Sequence, residues 1–342
     1  MTKVFVGMSG GVDSSLTAAL LVEQGYAVTG VYMKNWTQDL PGMKCPWAED
    51  LADAKRVAVA LGIDFKVYDF EAEYRHKVVE YMIDEYKLGR TPNPDIMCNQ
   101  EVKFKLFLET ALADGADMIA TGHYAQVKDG QLFRAIDENK DQTYFLYRVE
   151  EEALRKTLFP LGEFTKPEVR EMAKTRGLVT ASKKESMGIC FVGQIGIREF
   201  LSQYIETEPG DIIEKETDKI LARHDGALFY TLGQRHGLDI GGGLPYYVVG
   251  KNIDKNIVYV SQNINDETMW RHDVELSHIH WINDVPKDDH IIQARIPHRG
   301  VLINATLHDS HLRLSEAARA VTAGQSVVFY DGNVCLGGGI VV

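Results

Sequence analysis

A glycine-rich loop near the start of the chain carries residue types that bind phosphate. The loop reads Ser9-Gly10-Gly11-Val12-Asp13-Ser14, with an apolar strand before it and a helix after it. This geometry aims backbone N–H groups and the positive end of the helix dipole at an anion. Asp13 can hold a magnesium ion, which prefers oxygen ligands and bridges phosphates. A tight turn with Asp13 as a helix cap is the structural alternative.

The loop lacks the Lys-Ser or Lys-Thr pair that follows the second glycine of a Walker A phosphate loop. Instead, it resembles the pyrophosphate loop of the ATP pyrophosphatase superfamily, whose members cleave ATP between its α- and β-phosphates and adenylate a substrate oxygen. The resemblance implies ATP as a cofactor but does not identify the oxygen. The residues implied to bind the polyphosphate are Gly7, Met8, Ser9, Gly10, Gly11, Val12, Asp13 and Ser14.

A first cysteine-bearing segment, GRTPNPDIMCNQEVKFK over residues 89–105, contains a candidate nucleophile. Pro92 and Pro94 predict a stiff loop rather than a helix. Asp95 lies three residues before Cys98 and can act as its general base or as an acid. The lysines just beyond Cys98 favour its thiolate form.

A second segment, KESMGICFVG over residues 184–193, places Cys190 in a glycine-containing loop preceded by two lysines. Two cysteines flanked by cations beside an ATP site indicate sulfur transfer. One cysteine would carry a persulfide and the other would complete the exchange by forming a disulfide. A lone cysteine is more often a small buried apolar residue, which is the prediction for Cys45 and Cys335. No C-x-x-C pair occurs, which argues against a structural zinc site.

The elements that must position these residues alternate between strand and helix in the first half of the chain. The predicted strands are Val4–Met8, Ala27–Met33, Phe65–Phe70 and Met118–Thr121, and the predicted helices are Asp13–Gln24, Ala48–Leu61, Glu73–Leu88 and Val102–Ala113. The alternation predicts an α/β fold with a doubly wound parallel sheet. Thr165-Lys166-Pro167-Glu168 predicts a further helix start, capped by Thr165.

The second half of the chain is dominated by short strands between turns. The predicted strands are Ala227–Thr231, Tyr246–Val249, Ile257–Val260, Ile291–Ile296, Ala305–Leu307 and Ser326–Tyr330. Asp331-Gly332-Asn333 predicts a hairpin. We therefore predict three domains: an ATP pyrophosphatase catalytic domain over 1–205, a central β-rich domain over 206–268 and a C-terminal β-barrel over 269–342.

The charge balance gives no general sign of nucleic-acid binding. The 37 basic residues are outnumbered by 49 acidic ones, for a formal net charge of −12. Residues 155–198, however, contain nine basic residues, among them Lys183 and Lys184, against four acidic ones. This stretch is either a solvated helical face or an RNA-binding surface. No apolar run has transmembrane length and no signal-type segment is evident, so a cytoplasmic protein without a membrane partner is expected.

Eight stretches along nearly the whole chain resemble the tRNA-specific 2-thiouridylase family, whose members put sulfur on carbon 2 of the wobble uridine. They are GMSGGVDSS, YMKNW, GRTPNPDIMCNQEVKFK, ATGHYA, KDQTYFL, ESMGICFVG, HDGALFYTLGQRHGLDIGG and TAGQSVVFYDGNVCLGGGIVV. The resemblance implies a last domain similar to the β-barrels of translation factors. It also implies ATP and Mg²⁺ as cofactors. The partners would be wobble-uridine tRNAs (Lys, Glu and Gln acceptors) and a persulfide donor, either a cysteine desulfurase or a sulfur-relay protein.

The resemblance also implies roles for individual residues. Met33 and Gly122 would contact ATP beside the glycine-rich loop. Asp95 would be the acid and base, Cys98 the nucleophile and Cys190 the persulfide carrier. The residues implied to face the target base or the rest of the tRNA are Asn93, Pro94, Asp95, His123, Lys140, Asp141, Gln142, His298, Arg299 and Gln325. The family's usual Arg-Tyr-Arg contact is Pro297-His298-Arg299 here, and Ser186-Met187 replaces a small Ser-Thr pair near Cys190.

Two other functions fit part of the sequence. An amidating ATP pyrophosphatase of the NAD or GMP synthetase kind would share the loop, but no glutaminase domain is evident and the paired cysteine segments would have no role. A non-catalytic tRNA-binding adaptor with a relic ATP site would be expected to have lost some of the loop residues, Asp95, Cys98 or Cys190, which are all present.

Overall fold

The structure is a computed structural model that describes residues 1–39, 45–184, 196–241, 243–287 and 290–342. Cys190 and most of its segment lie outside the described residues. None of the described helices is both long enough and apolar enough to cross a membrane.

The first part of the chain is built on a five-stranded parallel sheet with the order β3-β2-β1-β4-β7. Its strands are β1 (Lys3–Gly7), β2 (Ala27–Lys34), β3 (Asp64–Asp69), β4 (Met118–Ala120) and β7 (Thr157–Leu158). Successive side chains of a strand point to opposite faces. Phe5 packs into one core, whereas Val4 and Val6 pack into another. Both faces are therefore covered, and the predicted doubly wound sheet is confirmed.

Helices cover both faces of this sheet. They are α1 (Val12–Glu23), α2 (Trp47–Leu61), α3 (Glu71–Tyr74), α4 (Tyr81–Lys87), α5 (Pro94–Met97), α6 (Phe107–Ala113), α7 (Glu151–Arg155), α8 (Lys166–Thr175) and α9 (Ile197–Leu201). Wider π-helical turns over Arg75–Glu80 and Cys98–Leu106 join α3 to α4 and α5 to α6. The predicted capping of α8 is confirmed, because Thr165 and Glu168 form a reciprocal capping box.

The prediction of a stiff loop around Cys98 is wrong. The chain turns helical at Pro94, which occupies the first turn of α5, and continues through the π-helical turns that begin at Cys98. Proline interrupts a helix only where its missing N–H is needed, and in the first turn that N–H has no intrahelical partner. Asn93 caps this start by accepting a hydrogen bond from the Asp95 N–H.

The central region forms a four-stranded sheet with the order β10-β11-β8-β9. The strands are β8 (Gly210–Glu214), β9 (Ile220–His224), β10 (Tyr247–Asn252) and β11 (Ile257–Ser261). The prediction of a strand over Ala227–Thr231 is wrong, since Ala227–Phe229 is a 3-10 turn. The Phe229 N–H bonds locally to the Gly226 carbonyl oxygen and so takes no part in a ladder.

The last part of the chain forms a closed antiparallel barrel of six strands. They are β12 (Trp270–Trp281), β13 (Ile292–Arg295), β14 (Ile303–His308), β15 (His311–Arg319), β16 (Ser326–Asp331) and β17 (Val334–Val341). Closure comes from β12, which pairs with both β15 and β17. The predicted hairpin at Asp331-Gly332-Asn333 is confirmed, because Asp331 pairs with Val334.

A hairpin from the first part of the chain pairs with the start of β17, the last strand of the barrel. Its strands are β5 (Gln126–Lys128) and β6 (Gln131–Phe133). β6 pairs with β17, matching Leu132 with Cys335 and Phe133 with Val334. The barrel is therefore hydrogen-bonded to the α/β part of the chain.

Candidate active site

The glycine-rich loop connects β1 to α1 in a shape that requires glycine. Gly10 has a φ of +74°, and a Cβ there would overlap the Asp50 carbonyl oxygen of α2. Gly122, just after β4, approaches the start of α1 so closely that a Cβ would lie 2.8 Å from the Ser14 nitrogen. The loop and the end of β4 thus share one edge of the sheet, where open parallel sheets bind ligands.

Serine hydroxyls hold the loop in shape. The Ser14 hydroxyl accepts a hydrogen bond from the Ser9 N–H at 3.1 Å and donates one to the Gly11 carbonyl oxygen at 3.2 Å. The Ser15 hydroxyl donates to the same carbonyl at 2.7 Å. Met33 adjoins the loop from β2, since a Cβ on Gly7 would lie 3.0 Å from the Met33 Cε. The loop residues, Met33 and Gly122 therefore lie together.

Asp13 is engaged by two side chains from distant parts of the chain. Lys166, in the first turn of α8, places its Nζ 2.6 Å and 2.7 Å from the two carboxylate oxygens of Asp13. The Tyr124 hydroxyl donates to the same carboxylate at 2.9 Å, and the ammonium of Lys166 lies over the Tyr124 ring, 5.5 Å from its centre. Lys166 is not among the site residues predicted from the sequence. The start of its helix can be predicted from the neighbouring residues. No local pattern, however, indicates that Lys166 lies beside Asp13, which is 153 residues earlier in the chain.

These contacts bear on the predicted magnesium ion. Within the ranges that the structure describes, no group of three or more His, Cys, Asp or Glu side chains could hold a metal ion. Asp13, whose side chain is 32% exposed, can supply one carboxylate. The residues thus fit an ion that arrives with ATP and takes most of its ligands from phosphate and water, as Mg²⁺ commonly does.

Asp95 and Cys98 lie three residues apart at the start of one helical segment, a spacing that places two side chains on neighbouring positions of a helix surface. Burial raises the pKa of the Asp95 carboxyl, although the positive charge of Lys103 acts in the opposite direction. Cys98 is buried, with 2% of its surface exposed. A carboxyl with a raised pKa next to a sheltered thiol suits proton transfer coupled to nucleophilic attack.

The other described cysteines have buried or half-buried surroundings. Cys335 is fully buried in β17, and this burial raises the pKa of its thiol. Burial also raises the pKa of the half-buried Cys45 thiol, which donates to the Trp36 carbonyl oxygen at 3.5 Å. Raised thiol pKa values disfavour the reactive thiolate, in keeping with the prediction that both cysteines are apolar residues of the interior.

Much of the basic stretch over 155–198 is already paired. Lys183 contacts Asp50 at 2.7 Å and Asp53 at 2.6 Å, both on α2, and the hydrogen bond from Lys183 lowers the pKa of Asp53. Other ion pairs are Arg155–Glu151, Lys166–Asp13, Arg176–Glu23 and Arg198–Asp225. Lys184, in contrast, is exposed. At least five of the nine basic residues in this stretch are therefore paired with carboxylates.

The Lys140-Asp141-Gln142 segment leads into the contact between the first part of the chain and the barrel. Arg295 of β13 donates to the Asp141 carboxylate at 2.9 Å, and neither side chain is more than 7% exposed. Arg295 also lies over the ring of Tyr330 on β16, 5.0 Å from its centre. We call the cluster of Asp141, Thr143, Tyr144, Arg295 and Tyr330 the barrel junction.

Further hydrogen bonds complete the barrel junction. The Thr143 hydroxyl bonds to Asp141 at 2.9 Å and lies 3.1 Å from the Tyr330 hydroxyl. The Tyr144 hydroxyl donates to the carbonyl oxygens of Ile296 and Ser326. The Asp141 carboxylate is thus enclosed by protein, whereas the neighbouring Lys140 and Gln142 are partly exposed.

The other residues implied to contact the tRNA lie in different surroundings. His123 is buried beside the rings of Phe104 and Phe159, and burial lowers its pKa well below the ordinary value. The Nδ1 of His123 lies 2.7 Å from the Thr121 hydroxyl. His123 is therefore a neutral, positioned side chain next to Gly122.

Residues of the barrel reach the region before Asn93. The Thr91 N–H donates to the Ala323 carbonyl oxygen at 2.8 Å, two residues before Gln325. His298 is half-buried, its ring centre 4.5 Å from that of Phe145, and burial lowers its pKa. Arg299 is exposed. The structure thus places Gln325 near the Asn93 helix start and His298 near the barrel junction.

Three family models match consecutive parts of the chain. They are described as the tRNA methyl transferase HUP domain over residues 2–194, the tRNA methyl transferase PRC-barrel domain over 198–262 and the aminomethyltransferase beta-barrel domain over 271–341.

Curated relatives match nearly the whole chain. Proteins named tRNA-specific 2-thiouridylase MnmA from Bacillus cytotoxicus and Bacillus subtilis are each 48% identical, over 98% and 99% of this chain and over 94% and 95% of their own lengths. The chain belongs to the tRNA-specific 2-thiouridylase family. The resemblance inferred from the sequence is thereby confirmed.

The solved structures are more remote from this 2-thiouridylase family member. A 4-thiouridine synthetase in complex with RNA and ATP aligns with 59% of this chain and 50% of its own, with 19% identity and a TM-score of 0.40. The family models carry descriptions of methyl transfer, whereas the curated relatives, which match 98% and 99% of this chain, are named for thiolation.

Proposed function

We propose that this protein is an enzyme that replaces oxygen 2 of the tRNA wobble uridine by sulfur at the expense of ATP. The observation that carries the proposal is the combination of the glycine-rich loop with Asp95 and Cys98 at one helix start, in a chain 48% identical to a named 2-thiouridylase over 98% of its length. The loop would bind the polyphosphate, and Met33 and Gly122 would adjoin the rest of the nucleotide.

The first step is adenylation. Oxygen 2 of the uridine attacks the α-phosphorus of ATP, the bond to the β-phosphate breaks, and pyrophosphate leaves. The uridine loses its N3 proton as the oxygen is adenylated. Asp95, whose pKa is raised by burial, would accept that proton. A bound Mg²⁺, held by ATP phosphates and the Asp13 carboxylate, would neutralise part of the charge on the leaving pyrophosphate.

The second step transfers sulfur. The terminal sulfur of a Cys190 persulfide attacks carbon 2 and AMP leaves, taking the former oxygen 2. The Cys98 thiolate then attacks the inner sulfur of Cys190. The bond between the inner sulfur and the sulfur on carbon 2 breaks, and the base leaves as an anion that takes back a proton at N3, for which Asp95 would be the donor. Neutral 2-thiouridine is released, and a Cys98–Cys190 disulfide remains that a thiol reductant must reopen.

We further propose the substrates and surfaces that serve this reaction. The tRNAs would be the Lys, Glu and Gln acceptors, and the sulfur would come from a cysteine desulfurase or a sulfur-relay protein in the cytoplasm. Asn93 and Pro94 would face the wobble base. The remaining tRNA contacts would come from His123, Lys140, Gln142, His298, Arg299 and Gln325, with Asp141 holding its neighbours in place.

Mass spectrometry of the tRNA nucleosides after incubation tests this function. The protein is incubated with unmodified tRNA, ATP, Mg²⁺ and a protein persulfide, with parallel reactions that lack ATP or contain ammonia instead of persulfide. We expect 2-thiouridine at the wobble position only with ATP and persulfide. An aminated nucleoside in the ammonia reaction would instead favour an amidating enzyme. Absence of both product and tRNA-stimulated ATP–pyrophosphate exchange would favour a non-catalytic adaptor.

A further inference from the structure

The contact between Lys166 and Asp13 is unusual in its position. Lys166 lies in a different helix, 153 residues along the chain, and its side chain is 9% exposed. Its ammonium contacts both carboxylate oxygens of a residue in the first turn of α1. Holding a lysine out of water at this position costs free energy unless an anion accompanies it.

The start of α1 is itself positive. The first N–H groups of the helix and its dipole together attract an anion. A lysine added to this end raises the positive potential further, and Asp13 balances it in the ligand-free chain. The polyphosphate of ATP carries several negative charges and would bind at the same place.

The glycine-rich loop has no lysine of its own. A Walker A loop carries its own lysine after the second glycine, which reaches the β- and γ-phosphates. Val12 and Asp13 occupy that part of the loop here. Lys166 brings an ammonium to the same helix end from another element.

We propose that Lys166 binds the polyphosphate of ATP and exchanges its partner when ATP binds. Its ammonium leaves one or both Asp13 oxygens for phosphate oxygens, while the Tyr124 hydroxyl remains bonded to Asp13. Only the side chain has to move, because the capping box and a hydrogen bond from the Lys166 N–H to Asp137 at 2.9 Å fix the start of α8. This inference rests on the ATP site of the proposed function.

A purely structural role is the competing explanation, in which Lys166 only docks α8 against α1. The two roles differ in which ligands they affect. A phosphate-binding lysine acts on ATP and pyrophosphate and leaves AMP nearly unaffected. A docking lysine acts on all three ligands through the shape of the site.

Calorimetric titration of Lys166→Met with ATP, pyrophosphate and AMP separates these roles. We expect ATP and pyrophosphate affinity to fall roughly 10- to 100-fold, the range for one charge-assisted hydrogen bond, with AMP affinity within about 2-fold of the parent. Lys166→Arg should recover most of the loss. Lys174→Met, an exposed position on the same helix, is the matched control and should bind all three ligands like the parent.

Lys166→Met leaves the Asp13 charge without its ammonium partner, and this variant can fold poorly for that reason alone. A second pair of variants tests the role of Lys166 without this imbalance. Asp13→Asn and Asp13→Asn/Lys166→Met differ only in the lysine, and the second carries no unpaired charge at this contact. Magnesium-free pyrophosphate should bind the first at least about 10-fold more tightly than the second.

The possible results of these titrations either overturn or support the proposed role of Lys166. Equal losses for ATP and AMP, or unchanged ATP and pyrophosphate affinity in both pairs of proteins, would overturn the role of Lys166. Failure of the parent protein itself to bind ATP would overturn the ATP site and with it the proposed function. A selective loss for the polyphosphate ligands supports the exchange.

Discussion

The glycine-rich loop and the barrel junction are both rich in family motifs, yet they use their residues in different ways. The loop is local, with a shape set by consecutive residues and by glycines that let α2 and β4 approach. The barrel junction joins Asp141 to Arg295, 154 residues away, in an enclosed ion pair. Residues of a motif can therefore shape a loop in one region and hold the barrel to the rest of the chain in another.

This difference predicts two kinds of variant. Changes at residues proposed to do chemistry should remove activity at little cost in stability. Changes in the barrel junction should lower stability, and they should affect tRNA binding only because the barrel is no longer held in place.

The largest effect is expected for Cys98→Ser. We expect repeated thiolation to fall by roughly 10³-fold or more, because the inner sulfur of Cys190 loses its attacking thiolate, whereas tRNA-dependent pyrophosphate release should persist. Cys190→Ser should also release pyrophosphate but should not load persulfide. Pyrophosphate assay and nucleoside mass spectrometry measure the two steps, with Cys45→Ala as the control that behaves like the parent. Multiple turnovers by the Cys98 variant would rule out its proposed role.

A large loss of stability is expected for Asp141→Asn. Removal of one partner from an enclosed ion pair leaves the Arg295 charge unpaired, which costs about 3 to 5 kcal/mol. Urea denaturation should show this loss in the free energy of unfolding. Asp114→Asn is the matched control, because its pair with Lys66 is 39% exposed on both sides and a surface ion pair contributes little to stability. Similar losses for both variants would show that the enclosed Asp141–Arg295 pair contributes no more to the stability of the fold than an exposed ion pair.

A smaller effect on RNA affinity is expected for Lys184→Glu. Its exposed ammonium can contact a phosphate, so the dependence of tRNA affinity on salt should weaken by about one unit of slope, while ATP affinity stays unchanged. Lys183→Met is the comparison. It should lower stability through its contacts with Asp50 and Asp53 and leave the salt slope unchanged. An unaltered slope for Lys184→Glu would mean that this part of the basic stretch does not bind tRNA.

The smallest effect concerns the stability of Asp95→Asn. Burial raises the pKa of Asp95 in the folded chain above its unfolded value of about 3.9. The ionised carboxylate therefore opposes folding at neutral pH, and this penalty disappears as the pH falls below the unfolded pKa. Thermal melts should show the variant more stable than the parent at pH 7 and equal to it near pH 3. A less stable variant at pH 7 would contradict this view of Asp95.

Much of the α/β fold was predictable because its signals are local. The apolar stretch before the glycine pair and the alternation of strands and helices predicted β1, α1 and their neighbours to within one or two residues. The predictions were wrong where one residue type is compatible with two kinds of local structure. Proline breaks a helix in its interior, but Pro94 lies in the first turn of a helix, and the apolar residues Ala227–Phe229 form a turn rather than a strand.

The sequence by itself determined the glycine-rich loop, the two cysteine segments, the order of the elements and the family, since each depends on the types and spacing of neighbouring residues. Only the tertiary structure decided that Lys166 lies against Asp13, that Lys183 pairs with α2 and that Asp141 is enclosed by the barrel. A partner for a charged side chain is chosen by which surfaces the fold brings together. That choice depends on contacts between residues more than a hundred positions apart, which no local pattern encodes.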